Sequence, residues 1–168
     1  MFWKQMGRFV VTVAGIGVLA HVLGQALPRR WFSPKAVLWC SFSWEKEGRI
    51  YRKVGIEWWK NHLPDASRHA KDMEPKTLAG ERTAAHLLRL VQETCVAELI
   101  HWLLWLVSPV LLVVMKKPWS IVMTVLYGLS NLPFILIQRY NRPRLLRLYE
   151  RMAQREQLKK TIEEALPQ

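Results

Sequence analysis

Three stretches of this chain are almost purely apolar: Phe9 to Leu27, Val96 to Met115 and Trp119 to Ile137. Nearly all the charge lies outside them. Each run is about 19–20 residues long, enough for a helix rising ~1.5 Å per residue to cross a hydrocarbon core of roughly 30 Å. A soluble domain distributes its apolar residues at helical or strand period, so uninterrupted runs of this length read as membrane spans. Strands fit poorly, because a lone hairpin cannot close a barrel and leaves backbone groups unsatisfied in lipid. Trp3, Trp31 and Trp119 stand at run ends, where indoles favour the headgroup level. The predicted fold class is an all-α integral membrane protein with about three transmembrane helices in one membrane domain, residues 1–168.

Within that domain the sequence predicts a first span over 9–27, a basic interfacial segment over 28–94, spans over 96–115 and 119–137, and a basic helical tail over 139–168. The first run also carries features of a signal peptide: Lys4 and Arg8 precede it, and Gly24-Gln25-Ala26 resembles a small-x-small cleavage site. Its apolar length favours a retained span. Lys116-Lys117-Pro118 leaves room only for a tight turn, so the second and third spans form an antiparallel hairpin. In the interfacial segment, Val54 to Lys60 mixes aromatic and basic residues in a way that suits a surface lying on lipid. Leu63-Pro64-Asp65 reads as a break. A helical pattern after Pro75, through Leu78, Leu87, Leu88 and Val91, runs into the second span.

The formal net charge is +12. Beside three spans, that excess points to anionic lipid headgroups rather than to nucleic acid. Two lysines precede the third span and a dense arginine cluster follows it. Basic flanks stay in the cytoplasm, which places the tail and the 28–94 segment on the inner side. Cys40 and Cys95 have no metal-ligand spacing, and no HExxH, GxSxG or phosphate-binding P-loop is present. His69 has Asp72 at the wrong distance for a His-x4-Asp pair. His62, His69 and His86 lie in polar surroundings and read as surface residues, and His21 is alone in the first span.

Charged groups at membrane depth cost about 2.5–3.5 kcal/mol at the centre of a span, which marks them as functional candidates. The second span holds Glu98 and His101, whose i,i+3 spacing puts both on one helix face. An imidazole takes a proton from a hydroxyl near neutral pH, and a carboxylate orients and stabilises it. The competing reading is a polar pair that fixes helix packing. In the third span, Asn131 either stabilises an oxyanion or bonds across to the second span as helix–helix glue. Pro133 frees the carbonyl of Leu129, and Pro109 that of Trp105, with a kink expected in the second span. After the third span comes Gln138-Arg139-Tyr140-Asn141-Arg142-Pro143-Arg144. Its guanidinium forks match phosphate and carboxylate oxygens, so the string reads either as a cradle for a phosphate-bearing headgroup or as a topology anchor.

The strings Ala97 to Trp102, Asn131-Leu132-Pro133 and Gln138 to Leu145 together resemble the glycosyl-4,4'-diaponeurosporenoate acyltransferase family, the last enzymes of staphyloxanthin synthesis. Ser41 to Gly48 and Trp59-Lys60-Asn61-His62-Leu63-Pro64 extend the resemblance upstream, so that it covers about Pro28 to Leu145. The resemblance implies O-acylation of a sugar hydroxyl on a glycosylated carotenoid or a similar glycolipid, in a bacterial cell membrane that the chain crosses several times. In this reading His101 is the base, Glu98 orients it and Asn131 stabilises the oxyanion. Gln138, Arg139, Tyr140, Asn141, Arg142 and Arg144, with Trp59 and Lys60, hold the substrate or the donor. No metal or cofactor is called for. The acyl donor is a co-substrate: an acyl-CoA, an acyl carrier protein or a phospholipid. The expected partners are membrane lipids, the acceptor and other enzymes of the pathway. Two other functions fit the same features: a non-enzymatic membrane scaffold, or a different lipid- or lipoprotein-modifying enzyme.

Overall fold

A computed structural model describes residues 2–34, 36–63 and 83–165. The break at Leu63-Pro64-Asp65, the early part of the helical pattern after Pro75, and His69 with Asp72 lie partly or wholly outside the described residues. Among the described residues there are four α-helices: α1 (Phe2–Ala26), α2 (Ile56–Trp59), α3 (Ala84–Val107) and α4 (Trp119–Ala165). Short 3-10 turns at Arg29–Trp31, Ser43–Glu45, Arg49–Val54 and Ser108–Val113 connect them. No strand occurs among the described residues. Among the described residues three helices are long and apolar enough to cross a membrane: Trp3–Ala26, Ala84–Val113 and Trp119–Ala165. The fold is therefore all-α, with the three candidate spans that the apolar runs predict.

The chain divides into two compact units. The first comprises Met1–Trp31 and Val96–Gln138 and contains the apolar helices. Here α1 runs antiparallel to α3. The Lys116 amide donates to Gln5 Oε1 (3.0 Å) at one end of α1, and Gly24 approaches Ile100 near the other. Arg29 closes the C-terminus of α1 by donating to the carbonyls of Gly24 (2.7 Å) and Leu27 (2.6 Å), which supplies the orphan acceptors of the last turn with a cation. At Pro109 the α-helical ladder gives way to the 3-10 turn Ser108–Val113, because proline brings no amide hydrogen to the i−4 carbonyl. Gly128 lets α4 approach that turn closely: a Cβ there would lie 3.4 Å from Ser108 Oγ and 3.5 Å from Trp105 Cδ1.

The second unit comprises Phe32–Cys95 and Arg139–Gln168. Its apolar core includes Phe32, Trp39, Tyr51, Ile56, Leu87, Leu90, Val91 and Tyr140. The pattern through Leu87, Leu88 and Val91 is helical and runs into the second apolar stretch within α3, and Leu87, Leu90 and Val91 are buried in this unit. The N-terminus of α3 is capped twice. Thr83 Oγ1 accepts from the His86 amide (3.2 Å) and Glu156 Oε1 from the Ala84 amide (2.8 Å), satisfying two of the unpaired donors of the first turn. The third span and the basic tail form one helix. α4 continues through both Pro133 and Pro143 to Ala165.

Candidate active site

In the first unit His101 of α3 meets Asn131 of α4. Asn131 Oδ1 lies 3.0 Å from His101 Nδ1, while Asn131 Nδ2 donates to the Tyr127 carbonyl at 2.8 Å. The second bond fixes which way the amide points. Since Oδ1 only accepts, Nδ1 of His101 carries the hydrogen of this bond. Phe134 stacks on the imidazole at 4.7 Å between ring centroids and 8° between planes, which holds the ring orientation. Glu98 is buried and its Oε1 accepts from Trp102 Nε1 at 3.4 Å. His101 and Asn131, 30 positions apart, are thus brought together, and Asn131 does bond across to the second span. Both donor and acceptor ends of its amide are engaged within the protein.

The arginine string belongs to the second unit from Arg139 onward, and the chain's own acceptors occupy its forks. Arg139 grips Glu45 with Nε (2.5 Å) and Nη2 (2.9 Å) and reaches the Cys40 carbonyl at 3.2 Å. Arg142 is buried. It donates to Thr94 Oγ1 (2.9 Å), the Thr94 carbonyl (2.9 Å) and the Trp39 carbonyl (3.0 Å). Arg144 lies over the Tyr140 ring at 3.5 Å, and Lys60 Nζ lies 4.9 Å from the centroid of the same ring. The Tyr140 hydroxyl donates to Glu57 Oε1 at 2.6 Å, and Glu57 also pairs with Arg52 at 3.0 Å. Trp59 donates Nε1 to the Val54 carbonyl at 2.9 Å. Asn141 is half-buried between Tyr140 and Arg142, and Gln138, in the first unit, is buried.

Sequence reasoning assigned no role to Glu45, yet it is the hub of the second unit. Its carboxylate, 1% exposed, accepts from Arg139, from the Phe42 amide (2.6 Å), from Ser41 Oγ (3.3 Å) and from the Tyr51 hydroxyl. Burial raises its pKa, but the hydrogen bonds from Arg139, Tyr51 and Phe42 outweigh that and hold it below the usual carboxylate range. Burial and the bond to Glu45 push the Tyr51 phenol the other way, well above its ordinary value. A small cavity of about 10 Å³, lined by Trp39, Ser41, Glu45, Arg139, Arg142 and Pro143, is roughly the room of one water molecule. The available signal was an acid within Ser41 to Gly48, a basic chain's stretch that shares its family resemblance with the arginine string.

The depressed Glu45 pKa has a defined pH signature. Stability from the ionised carboxylate is fully present above its unfolded value, about 4.3, and is lost as pH falls through the lower folded value. Thermal melts in detergent between pH 6 and pH 3.5 should show melting temperature dropping at the acid end. The Glu45→Gln variant should be less stable throughout and flatter with pH. An unchanged acid slope in that variant would remove Glu45 as its source.

A family described as glycosyl-4,4'-diaponeurosporenoate acyltransferase matches residues 28–151. Curated proteins of that name from Staphylococcus aureus strains RF122 and MRSA252 are each 29% identical to the chain over 140 residues, covering 79% of this chain and 82% of theirs. The protein of that name from strain N315 matches to the same extent. No solved structure matches the chain.

Proposed function

Because the chain belongs to the glycosyl-4,4'-diaponeurosporenoate acyltransferase family and is therefore an acyltransferase, we propose that it works in the bacterial membrane, moving a fatty acyl chain to a sugar hydroxyl of a glycosylated carotenoid or similar glycolipid. The observation that carries the mechanism is the His101–Asn131 contact between two candidate spans. Asn131 takes up the Nδ1 hydrogen, which assigns the role of base to Nε2. Nε2 accepts the proton of the sugar hydroxyl as its oxygen attacks the acyl carbonyl carbon. The new ester C–O bond forms while the bond to the donor's leaving group breaks. The imidazolium then returns its proton to that leaving group, a thiolate or an alkoxide. Glu98, one turn from His101 on α3, accepts from Trp102 and so orders the helix face that carries the imidazole. Asn131 acts here as a positioning residue that selects the tautomer.

This division of labour leaves Arg139 and Arg142 as the braces of the second unit, since their forks already hold Glu45, Thr94 and Trp39. The scaffold alternative keeps the same braces but requires no chemistry at Nε2. Detergent-purified protein incubated with a labelled acyl donor and a glycosylated carotenoid separates the two. The expected result is label in a sugar-linked ester, absent when the acceptor is the aglycone. Equal labelling of the aglycone, or none with either acceptor across thioester and phospholipid donors, would contradict the proposal.

A further inference from the structure

An open groove of about 530 Å³ in the second unit is lined by Lys46, Arg49, Ile50 and Lys53, a size within the roughly 300–1,000 Å³ of small-ligand clefts. The turn that carries Lys46 is held in an unusual shape. Lys46 and Glu47 have φ of 49° and 56°, left-handed conformations that side chains other than glycine keep only where the surroundings enforce them. Three contacts enforce this one. Arg139 grips Glu45 immediately before the turn. Glu47 pairs with Arg147. Gly48, at φ +80°, sits so close to α4 that a Cβ would stand 3.1 Å from Tyr140 Cα.

The same contacts separate the charges. Glu45, Glu47 and Glu57 are each held by an arginine outside the groove, Arg139, Arg147 and Arg52. Among the described residues no carboxylate pairs with Lys46, Arg49 or Lys53. Arg49 donates Nε to the Lys46 carbonyl at 3.1 Å, which fixes the guanidinium and leaves its two terminal nitrogens for a ligand. One oriented fork, two ammonium groups and the apolar Ile50 beside them make a site for a phosphate ester attached to a carbon skeleton.

We infer that this groove binds the phosphate of the acyl donor, an inference that rests on the acyltransferase reading above. A coenzyme thioester and a phospholipid share that chemistry, and the test separates them. Coenzyme A and a short-chain phosphatidylglycerol are titrated at fixed ionic strength into the full-length protein in non-ionic detergent. The wild type is compared with Arg49→Gln/Lys53→Gln, with Arg49→Lys and with the tail control Lys160→Gln. The double variant should weaken binding of one probe by about ten-fold or more, as expected for losing charge-assisted hydrogen bonds. Arg49→Lys, which keeps the charge and loses the fork, should fall between wild type and the double variant, and Lys160→Gln should keep all of the binding. The probe affected identifies the donor class. If the double variant melts early, Lys53→Gln alone, at an exposed position, carries the comparison.

Equal binding by wild type and variant for both probes overturns the inference, as does failure of the wild type to bind either. The two readings also fail separately. Loss of binding in the variant with no acyl transfer by the wild type keeps the groove and removes the acyltransferase mechanism. Transfer by the wild type with an unchanged donor KM in the variant keeps the mechanism and removes the groove.

Discussion

Replacing His101 with alanine is expected to lower turnover by about 10²–10⁴-fold, the usual contribution of a positioned general base, while the protein stays folded in detergent with a melting temperature lowered by only several degrees. The imidazole is only half-buried, and its loss leaves Asn131 with one unpaired acceptor, a modest effect on stability of about 1–3 kcal/mol at most. Asn131→Ala should lower turnover less than His101→Ala does, and it should alter the pH–rate profile, because Nδ1 is then free to lose its proton preference. A purely structural role for Asn131 would lower stability without moving that profile. If His101→Ala melts much earlier while its folded fraction turns over normally, the contact is helix packing and the base lies elsewhere.

The second large effect concerns Glu45 and Arg139. Their side chains are 1% and 10% exposed, and Arg139 contacts both carboxylate oxygens. Removing one partner strands the other, so Glu45→Ala or Arg139→Ala should destabilise the protein by about 3–5 kcal/mol. The double variant Glu45→Gln/Arg139→Gln should lose less than the sum of its singles, since neither charge is then left alone. The Glu47–Arg147 pair, 62% and 45% exposed, is the internal control: breaking it should change stability by about 1 kcal/mol or less. Denaturant or thermal unfolding of the variants in one detergent measures all of this. Equal, small effects at both pairs would show that the Glu45 network does not hold the second unit together.

The apolar helices were legible because bilayer thickness fixes the length of an apolar run, and that length is visible without any partner. The turn at Lys116-Lys117-Pro118 was legible for a similar local reason. The continuity of α4 was not, since Pro133 and Pro143 locally favour a break; the tail helix is secured by contacts such as Glu156 with the Ala84 amide, 72 positions away. The arginine string was recognisable as chemistry but not as architecture. An Arg fork reads the same on a phosphate as on a carboxylate, and the carboxylate that Arg139 uses lies 94 positions upstream. For the candidate site, helical spacing put Glu98 beside His101, yet the partner at Nδ1 came from another helix. Periodicity along one helix carries no information about which residue of the next helix faces it.

The most direct measurement of the central claim is tandem mass spectrometry of the product made by purified protein from a defined acyl donor and a glycosylated carotenoid. One acyl ester should appear, and fragmentation should place it on the sugar, with the product nearly absent for His101→Ala. An acyl group found on the carotenoid skeleton, or full product from the folded His101→Ala variant, would contradict the account.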